Sequence, residues 1–403
     1  MAQVTSYLAD LSLSVDMDPC YEMGDKPIEI DSAVEDAVDS DLESHTGNSI
    51  KSSRSVSDED VIEDVFENGR RYCNSVYFMP NDEPEQTRLS ILHQIYLIIL
   101  DGKLTKAPIK ENVKRILDVG TGPGDWAFAI GEQYPNAEVI ATDISVFDDA
   151  PDGASPPNVS LEIDDAEGEW VHQEPFDLIH FRGLSGAFSD WPAIYQQAFA
   201  HLKPGGYIEV TEFDLAADRL RTPNAPTNSY LSIYVSAIRS AAEAAGYPRN
   251  LEHLRPTALS AAGFEKIQTH DIDVPVGTWP DDPLKKTLGK MTLICLLEGL
   301  EALALRQLTR REGWTAESVR DLCDKVKTEM VSEKGATDTV RFVVARKPLV
   351  GIGSSVRRKR KPRKKKVDDG NKEDEGSAGN EGLPNGDTPD SGKELGETMG
   401  RES

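Results

Sequence analysis

A glycine-rich turn between an apolar strand and a helix constrains the fold of this chain more than any other segment. Residues 115–119 (RILDV) have the composition of a buried strand. The turn that follows has the pattern G-x-G-x-G, with Gly120, Gly122 and Gly124, and residues 126–130 (WAFAI) predict the start of a helix. A strand, a glycine turn and a helix N-terminus in this order form a pocket for a nucleotide-like ligand. Glycine is needed because a side chain would block the close approach of the ligand to the backbone.

An acidic residue at the end of the next predicted strand narrows the kind of ligand. The dinucleotide fingerprint is G-x-G-x-x-G, whereas the third glycine of this turn comes one residue earlier. Residues 138–143 (EVIATD) predict a second strand, which ends in Asp143. A carboxylate at this position can accept hydrogen bonds from two ribose hydroxyls. The alternative is that Asp143 only caps a turn, but the neighbouring glycines favour the ribose role.

Further strands and helices continue along the chain after a first helix predicted at residues 85–100. Strands at 159–163, 176–182 and 207–212 bring the number of parallel strands within residues 115–212 to five, joined by right-handed crossovers. Asp164 and Asp165 follow the third strand, where a carboxylate can meet an adenine amino group. A sixth strand is predicted near 266–272, helices at 283–310 and 315–333, and a last, antiparallel strand at 339–346. We expect this last strand at the sheet edge, beside the sixth.

These elements follow the order of a class I S-adenosylmethionine (SAM) methyltransferase, which the chain resembles. Several short segments make the resemblance closer: residues 67–72 (ENGRRY), 80–83 (PNDE), 101–104 (DGKL), 164–170 (DDAEGEW), 190–192 (DWP), 202–206 (LKPGG), 297–300 (LEGL) and 309–314 (TRREGW). As a set, over residues 64–348, they resemble the LaeA-like methyltransferases of filamentous fungi. The resemblance implies a Rossmann-like seven-stranded α/β fold, SAM as the cofactor, regulation of secondary metabolism and, in some cases, a complex with velvet-domain proteins.

In an open α/β sheet of this kind, ligands lie at the carboxyl ends of the strands. We therefore expect SAM to lie across the three glycines of the turn, next to Asp118. Asp143 is expected to bind its ribose, and either Asp164 or Asp165 its adenine. Tyr72, with the two arginines before it, is a candidate to close over the methionine end of SAM, where a carboxylate attracts a cation. The alternative for Tyr72 is the solvated start of a helix.

Methyl transfer from SAM requires few catalytic side chains. A sulfonium already activates the methyl group, so orientation and desolvation are the main requirements, and no metal is needed. A general base, if one is used, must lie within hydrogen-bond reach of the nucleophile. His180, on the fourth predicted strand, is the candidate by position in the sequence. The alternative is a structural histidine held by a hydrogen bond.

Composition divides the chain into a folded domain and two tails. Residues 1–60 contain 15 acidic and 3 basic residues, with many serines and few large apolar side chains. Such a segment cannot bury enough apolar surface to offset its ordering entropy. We therefore predict a disordered acidic tail at 1–63, a methyltransferase domain at 64–350 and a second disordered tail at 351–403. Within the domain, cap helices are predicted at 64–112 and helical insertions that form a substrate lid at 220–335.

Charge and hydropathy bear on location and partners. The net charge is −26, and the part between the tails, residues 61–356, carries −15 of it, which argues against broad DNA binding by the folded domain. Residues 357–366 (RRKRKPRKKK) are nevertheless strongly basic and predict a nuclear localisation signal, read by an import receptor. The alternative is a solvated run that contacts polyanions. No signal peptide is predicted, and the best apolar run, residues 91–100, is too short to span a bilayer. We expect a nuclear protein without a membrane anchor, or alternatively a cytoplasmic one.

The sequence thus predicts a SAM-dependent methyltransferase that acts on an unidentified acceptor and regulates fungal secondary metabolism. Two alternatives remain: a methyltransferase that modifies a small molecule of a biosynthetic pathway, and a scaffold that binds SAM without catalysis. An enzyme for a small apolar molecule should have an enclosed, aromatic-lined cavity. An enzyme for a protein should have an open acidic groove.

Overall fold

The computed structural model describes residues 51–52, 64–145, 147, 155–213 and 220–349. The strands are β1 (Lys51–Ser52), β2 (Val65–Glu67), β3 (Arg70–Tyr72), β4 (Arg115–Val119), β5 (Glu138–Asp143), β6 (Val159–Ile163), β7 (Phe176–Arg182), β8 (Leu202–Glu212), β9 (Glu265–Pro275) and β10 (Thr337–Arg346). The helices are α1 (Glu83–Ile99), α2 (Asp125–Gln133), α3 (Trp191–His201), α4 (Tyr230–Ala245), α5 (Pro256–Ala261), α6 (Pro283–Thr309) and α7 (Ala316–Ser332). The predicted tails, with the basic run 357–366, lie outside the described residues except for β1.

One mixed sheet forms the centre of the fold, in the order β1-β6-β5-β4-β7-β8-β10-β9. The five strands β4 to β8 are parallel to one another, as predicted. Together with β9 and β10 they give the seven strands of a Rossmann-like methyltransferase, and the two-residue β1 extends the β6 edge. Because the strand order reverses between β4 and β7, a ligand site is expected where their carboxyl ends meet.

The position of the last strand differs from the prediction. Strand β10 is antiparallel and pairs with β9, as expected, but it also pairs with β8 and so lies inside the sheet. The edge strand is β9. Residues 342–345 of β10 are buried on both faces, whereas residues 268–271 of β9 are exposed and polar. A continuous apolar run suits an inner strand, and polar side chains suit an edge.

The N-terminal part of the domain also differs from the predicted cap helices at 64–112. Residues 65–72 form the antiparallel hairpin β2–β3, and α1 is the helix that follows. The hairpin turn is Asn68-Gly69, and both residues have positive φ angles, 55° and 82°. An Asn-Gly pair favours this tight turn over a helix. The side chain of Asp82 caps α1 by accepting from the backbone N–H of Glu85, so the helix starts two residues earlier than predicted.

Two helices lie between β9 and β10, as predicted, and they extend the domain beyond the sheet. The first, α6, has 27 residues and is buried along much of its length. It packs against α1, where the Cys295 thiol donates to the carbonyl of Arg88 at 3.5 Å. Gly299 also faces α1, because a Cβ atom there would lie 3.5 Å from the side chain of Arg88, an ordinary van der Waals contact. Within the described parts of the chain, no helix has both the length and the hydropathy to cross a membrane.

Candidate functional site

The glycine turn after β4 has a backbone that only glycine adopts readily. Gly120, Gly122 and Gly124 have φ angles of 68°, 61° and 90°. A Cβ atom on Gly120 would also lie 2.4 Å from the side chain of Leu184. Gly124 is the N-cap of α2 and provides no side-chain cap, so the first N–H groups of the helix remain available to a ligand. The turn therefore has the geometry for close contact between a ligand and the backbone.

Asp143, at the end of β5, is joined to this turn by hydrogen bonds. Its Oδ2 accepts from the backbone N–H of Gly122 at 2.8 Å, and its Oδ1 accepts from that of Ser145 at 2.9 Å. Burial raises the pKa of Asp143 to about 6, and the charge of Asp118 adds to the rise, while the backbone donors oppose it. Each carboxylate oxygen can accept a second hydrogen bond, so Asp143 retains capacity to bind ligand hydroxyls.

A first cavity of about 970 Å³ lies beside the ends of β5 and β6, and we call it the acidic cavity. Four carboxylate side chains line it: Asp143, Asp164, Asp165 and Glu167. Asp165 is exposed, and its Oδ1 accepts from the backbone N–H of Glu167 at 3.0 Å, so it stabilises its own turn. Asp164 is half-buried, and its backbone N–H donates to the carbonyl of Asp143. Of the two predicted adenine partners, Asp164 is thus the less exposed.

A second cavity of about 1250 Å³ lies between the glycine turn, α1 and α6, and we call it the helix cavity. It shares five lining residues with the acidic cavity: Tyr77, Phe78, Gly120, Asp143 and Leu184. Its apolar lining includes Leu89, Leu92, Tyr96, Phe213 and Leu303. Charged groups from α1, the ends of the central strands and the chain before α5 also line it: Glu85, Arg88, Asp118, Asp125, Arg182 and Arg249. The two cavities therefore adjoin at the glycine turn.

His180 lies beneath the turn, away from both cavities. Its Nδ1 is 2.7 Å from Oδ1 of Asp118, and its ring stacks on Trp126 with centroids 3.7 Å apart. The other oxygen of Asp118 accepts from the hydroxyl of Thr121 at 2.7 Å. Only 2% of the His180 surface is exposed, and the residue lines neither cavity. This geometry does not support His180 as a general base; it fits the alternative of a structural histidine that holds Asp118.

Tyr72 is the one predicted cofactor residue that the structure places elsewhere. Its side chain is fully buried outside both cavities, with the guanidinium of Arg306 3.4 Å from its ring centroid. Arg70 is also engaged, in an ion pair of 2.6 Å with Asp82. The prediction for Tyr72 is therefore corrected: it packs the hairpin against α6. Sequence spacing did not show this contact, because Arg306 is distant along the chain.

The segment that follows the hairpin lines the cavities instead, and the sequence analysis missed it. Tyr77 and Phe78 line both cavities. Arg306 holds this segment, because its Nη1 donates to the carbonyl oxygens of Asn74 at 2.7 Å and Tyr77 at 2.8 Å. Its Nε donates to Glu67 at 2.8 Å. The available signal was an arginine directly after the apolar run 302–305 (ALAL), since a charge on the apolar face of a helix requires partners.

Glu212 shapes the loop after β7. It is fully buried at the end of β8, and its two oxygens accept from the backbone N–H groups of Leu184 at 3.0 Å and Ser185 at 3.2 Å. Leu184 lies against Gly120 and lines both cavities. Glu212 therefore fixes a wall of the site.

Comparisons with known proteins identify the relatives of this chain. Residues 91–269 match the methyltransferase domain family. The chain is 34% identical over 288 residues to methyltransferase pytC of Aspergillus terreus, which covers 70% of this chain and 88% of the relative. It is 37% identical over 294 residues to secondary metabolism regulator LAE1 of Cochliobolus heterostrophus, and this match covers 70% of this chain and 94% of the relative. Among solved structures, phosphoethanolamine N-methyltransferase 2 of Haemonchus contortus in complex with SAM matches at 19% identity and a TM-score of 0.33, with 68% of this chain and 55% of that chain covered.

Proposed function

Since this chain belongs to the LaeA-like family of SAM-dependent methyltransferases, we propose that it methylates an acceptor as a nuclear regulator of fungal secondary metabolism. The cofactor is SAM. The regulatory role is supported by similarity to LAE1 and to laeA of Aspergillus fumigatus, both called secondary metabolism regulators. The observation that carries the proposal is Asp143, which is joined to the glycine turn and lines both cavities.

We assign the binding of SAM to groups around this acid. The ribose hydroxyls donate to Asp143, and Asp164 accepts from the adenine amino group in the acidic cavity. The glycine turn lets the ligand approach the backbone, and the N-terminus of α2 follows directly. Asp118, held by His180 and Thr121, faces the amino-acid end in the helix cavity. The carboxylates of Asp118 and Asp143 are positioned by hydrogen bonds of their own, which favours a preformed site.

When bound, SAM supplies a methyl group that its sulfonium has already activated. The task of the protein is therefore to orient the acceptor and exclude water. Tyr77, Phe78 and Leu184 stand where the two cavities meet, and they provide an apolar wall at that place. We assign no proton transfer to His180, because it lies outside both cavities.

Calorimetric titration of the full-length chain with SAM and S-adenosylhomocysteine tests this proposal. We expect both ligands to bind, and Asp143→Ala to weaken both. A folded chain that binds neither ligand would contradict a methyltransferase function and favour a scaffold that acts through partners.

A second candidate function is the methylation of a small molecule. The aromatic and apolar lining of the helix cavity supports it, because an enzyme for an apolar metabolite needs such a cavity. The similarity to methyltransferase pytC is also consistent with it. Incubating the chain and methyl-labelled SAM with a fungal extract, separated into protein and low-mass fractions, distinguishes the candidates. Label in protein supports a protein acceptor, and label in the low-mass fraction supports the second candidate.

Nuclear location and partners are further parts of the proposal. The basic run 357–366 supports recognition by an import receptor. Replacing its nine Lys and Arg residues with Ser should move a fluorescent fusion from the nucleus to the cytoplasm. Family resemblance adds velvet-domain proteins as candidate partners, and co-purification from fungal nuclei tests this interaction.

A further inference from the structure

Arg182, at the carboxyl end of β7, is a cation without an acidic partner in the helix cavity. It is half-buried and lines that cavity beside the glycine turn. Among the residues that the structure describes, Arg182 takes part in no ion pair. Arg88, which lines the same cavity, differs, because Glu85 binds it through two hydrogen bonds of 2.8 and 2.6 Å. Arg182 is therefore available to an anion from outside the chain.

Two uncharged side chains contact the guanidinium of Arg182 and hold it in place. The ring of Tyr96 lies 4.8 Å from the guanidinium carbon, and Nη1 is 3.3 Å from Nδ1 of His93. Burial, followed by the charge of Arg182, lowers the pKa of His93 to about 3, so His93 is neutral at physiological pH. Neither contact neutralises the arginine. A half-buried guanidinium held by neutral groups is a strong binder of carboxylates.

Besides Glu85, which pairs with Arg88, and Asp143, which is assigned to the ribose, two further carboxylates line the same cavity. Asp118 is the penultimate residue of β4, and Asp125 starts α2, where its Oδ2 accepts from the hydroxyl of Ser90 at 2.9 Å. In the helix cavity, Arg182 is thus a cation outside any ion pair of the described residues, and two acids, Asp118 and Asp125, flank the glycine turn. This set is complementary to an α-amino acid zwitterion, whose ammonium group suits the acids and whose carboxylate suits Arg182.

We infer that Arg182 binds the α-carboxylate of the methionine part of SAM. The inference rests on the proposed function, which places SAM across the glycine turn. Neither hairpin arginine competes for this role, because neither lines the cavity: Arg70 pairs with Asp82, and Arg71 donates to the carbonyl of Asn81 at 2.7 Å. Arg182 also lines a small cavity with His93, His180 and Trp126, so it lies between that cavity and the helix cavity.

Two ligands that differ only in the amino-acid part separate this role from a general effect on the site. S-adenosylhomocysteine carries the carboxylate, whereas 5′-methylthioadenosine lacks the whole amino-acid group. In the full-length chain, Arg182→Met should weaken S-adenosylhomocysteine about 10- to 100-fold and methylthioadenosine less than about twofold. Arg182→Lys should fall in between, since it keeps the charge but not the paired donors. Arg341→Met, on the surface of β10, is the matched control and should change neither affinity.

If Arg182→Met weakens the binding of both ligands equally, or does not weaken the binding of S-adenosylhomocysteine, the assignment is overturned. In the second case Arg182 would instead be available to bind the acceptor. If Arg182→Met does not fold, the wild-type chain still provides the test. It should bind S-adenosylhomocysteine about 10-fold or more tightly than its decarboxylated analogue, and equal affinities would overturn the inference. If the wild-type chain binds neither methylthioadenosine nor S-adenosylhomocysteine, this result would instead contradict the proposed function.

Discussion

The carboxylate of Asp143 accepts a hydrogen bond of 2.8 Å from the backbone of Gly122, which joins the acid at the end of β5 to the turn after β4. The same carboxylate accepts from the backbone N–H of Ser145. The acid and the turn are therefore held in one arrangement before a ligand arrives. Such preorganisation lowers the entropy cost of binding.

Replacing this acid should weaken SAM selectively. Asp143→Ala removes the charged acceptors for the ribose hydroxyls, at about 1.5–3 kcal/mol, which is roughly 10- to 150-fold in affinity. Asp165→Ala is the matched control, because Asp165 lines the acidic cavity but is exposed and bonded to its own turn. Its effect should be less than about threefold. Equal affinities of the Asp143→Ala variant and the wild type, by calorimetry, would remove the ribose assignment.

The pKa of Asp143, raised by burial to about 6, predicts a pH dependence of binding. Below that pH the carboxyl is protonated and is a poorer acceptor for two hydroxyls. We therefore expect the affinity for S-adenosylhomocysteine to increase as the pH rises from about 5 to 7, with release of a proton on binding. Asp143→Asn should lose this dependence. A wild-type profile that is flat over the same range would contradict the assignment.

The raised pKa of Asp143 also predicts how the stability of the fold changes with pH. The folded pKa is higher than the unfolded value of 3.8, so folding favours the protonated acid. This contribution is fully present below about pH 4 and is lost as the pH rises through about 6. The free energy of unfolding of the wild type, relative to Asp143→Asn, should fall by about 3 kcal/mol across this window. Urea unfolding at a series of pH values measures the difference, and a rise with pH would contradict the sign.

Arg306 should be needed for both stability and cofactor binding. Arg306→Met leaves Glu67 and the carbonyl groups of Asn74 and Tyr77 without their donor, and should cost about 3–5 kcal/mol in urea unfolding. Arg310→Met, one turn later on α6, is the control, since Arg310 is exposed and its pair with Glu67 is worth less than about 1 kcal/mol. Affinity for S-adenosylhomocysteine should fall in the first variant alone. Equal loss of stability in the two variants would show that Arg306 has no special role.

The parts of the fold that follow local patterns were predictable. The parallel strands of the sheet were predicted from the run of apolar segments, the glycine turn and the acids at the strand ends. The structure brings these acids to the lining of two adjoining cavities: Asp118, Asp143, Asp164 and Asp165. These predictions depend on neighbours in the sequence and on the rule that carboxyl ends of parallel strands share one edge.

The parts that depend on distant contacts were not predictable in the same way. The burial of Tyr72 under Arg306 joins the first hairpin to α6, and no spacing in the sequence shows it. The inner position of β10 depends on its pairing with β8 as well as β9. The hairpin, in contrast, was predictable from the local sequence, because the pair Asn68-Gly69 favours a tight hairpin turn over the cap helices that were expected.

Gly120→Ala should lower the stability of the fold by more than its unfavourable φ angle alone explains. Its φ angle of 68° is unfavourable for alanine, and its Cβ would also lie 2.4 Å from the Leu184 side chain. Gly102→Ala is the control, because Gly102 has a similar φ of 73° but open space around it. We expect a loss of about 1 kcal/mol for the control and about 2–4 kcal/mol for Gly120→Ala, with weaker binding of S-adenosylhomocysteine in the latter only. Adding Leu184→Ala should restore part of the stability, since it removes the clash. Equal losses for the two glycine variants would mean that the turn yields to the side chain and that Leu184 does not constrain it.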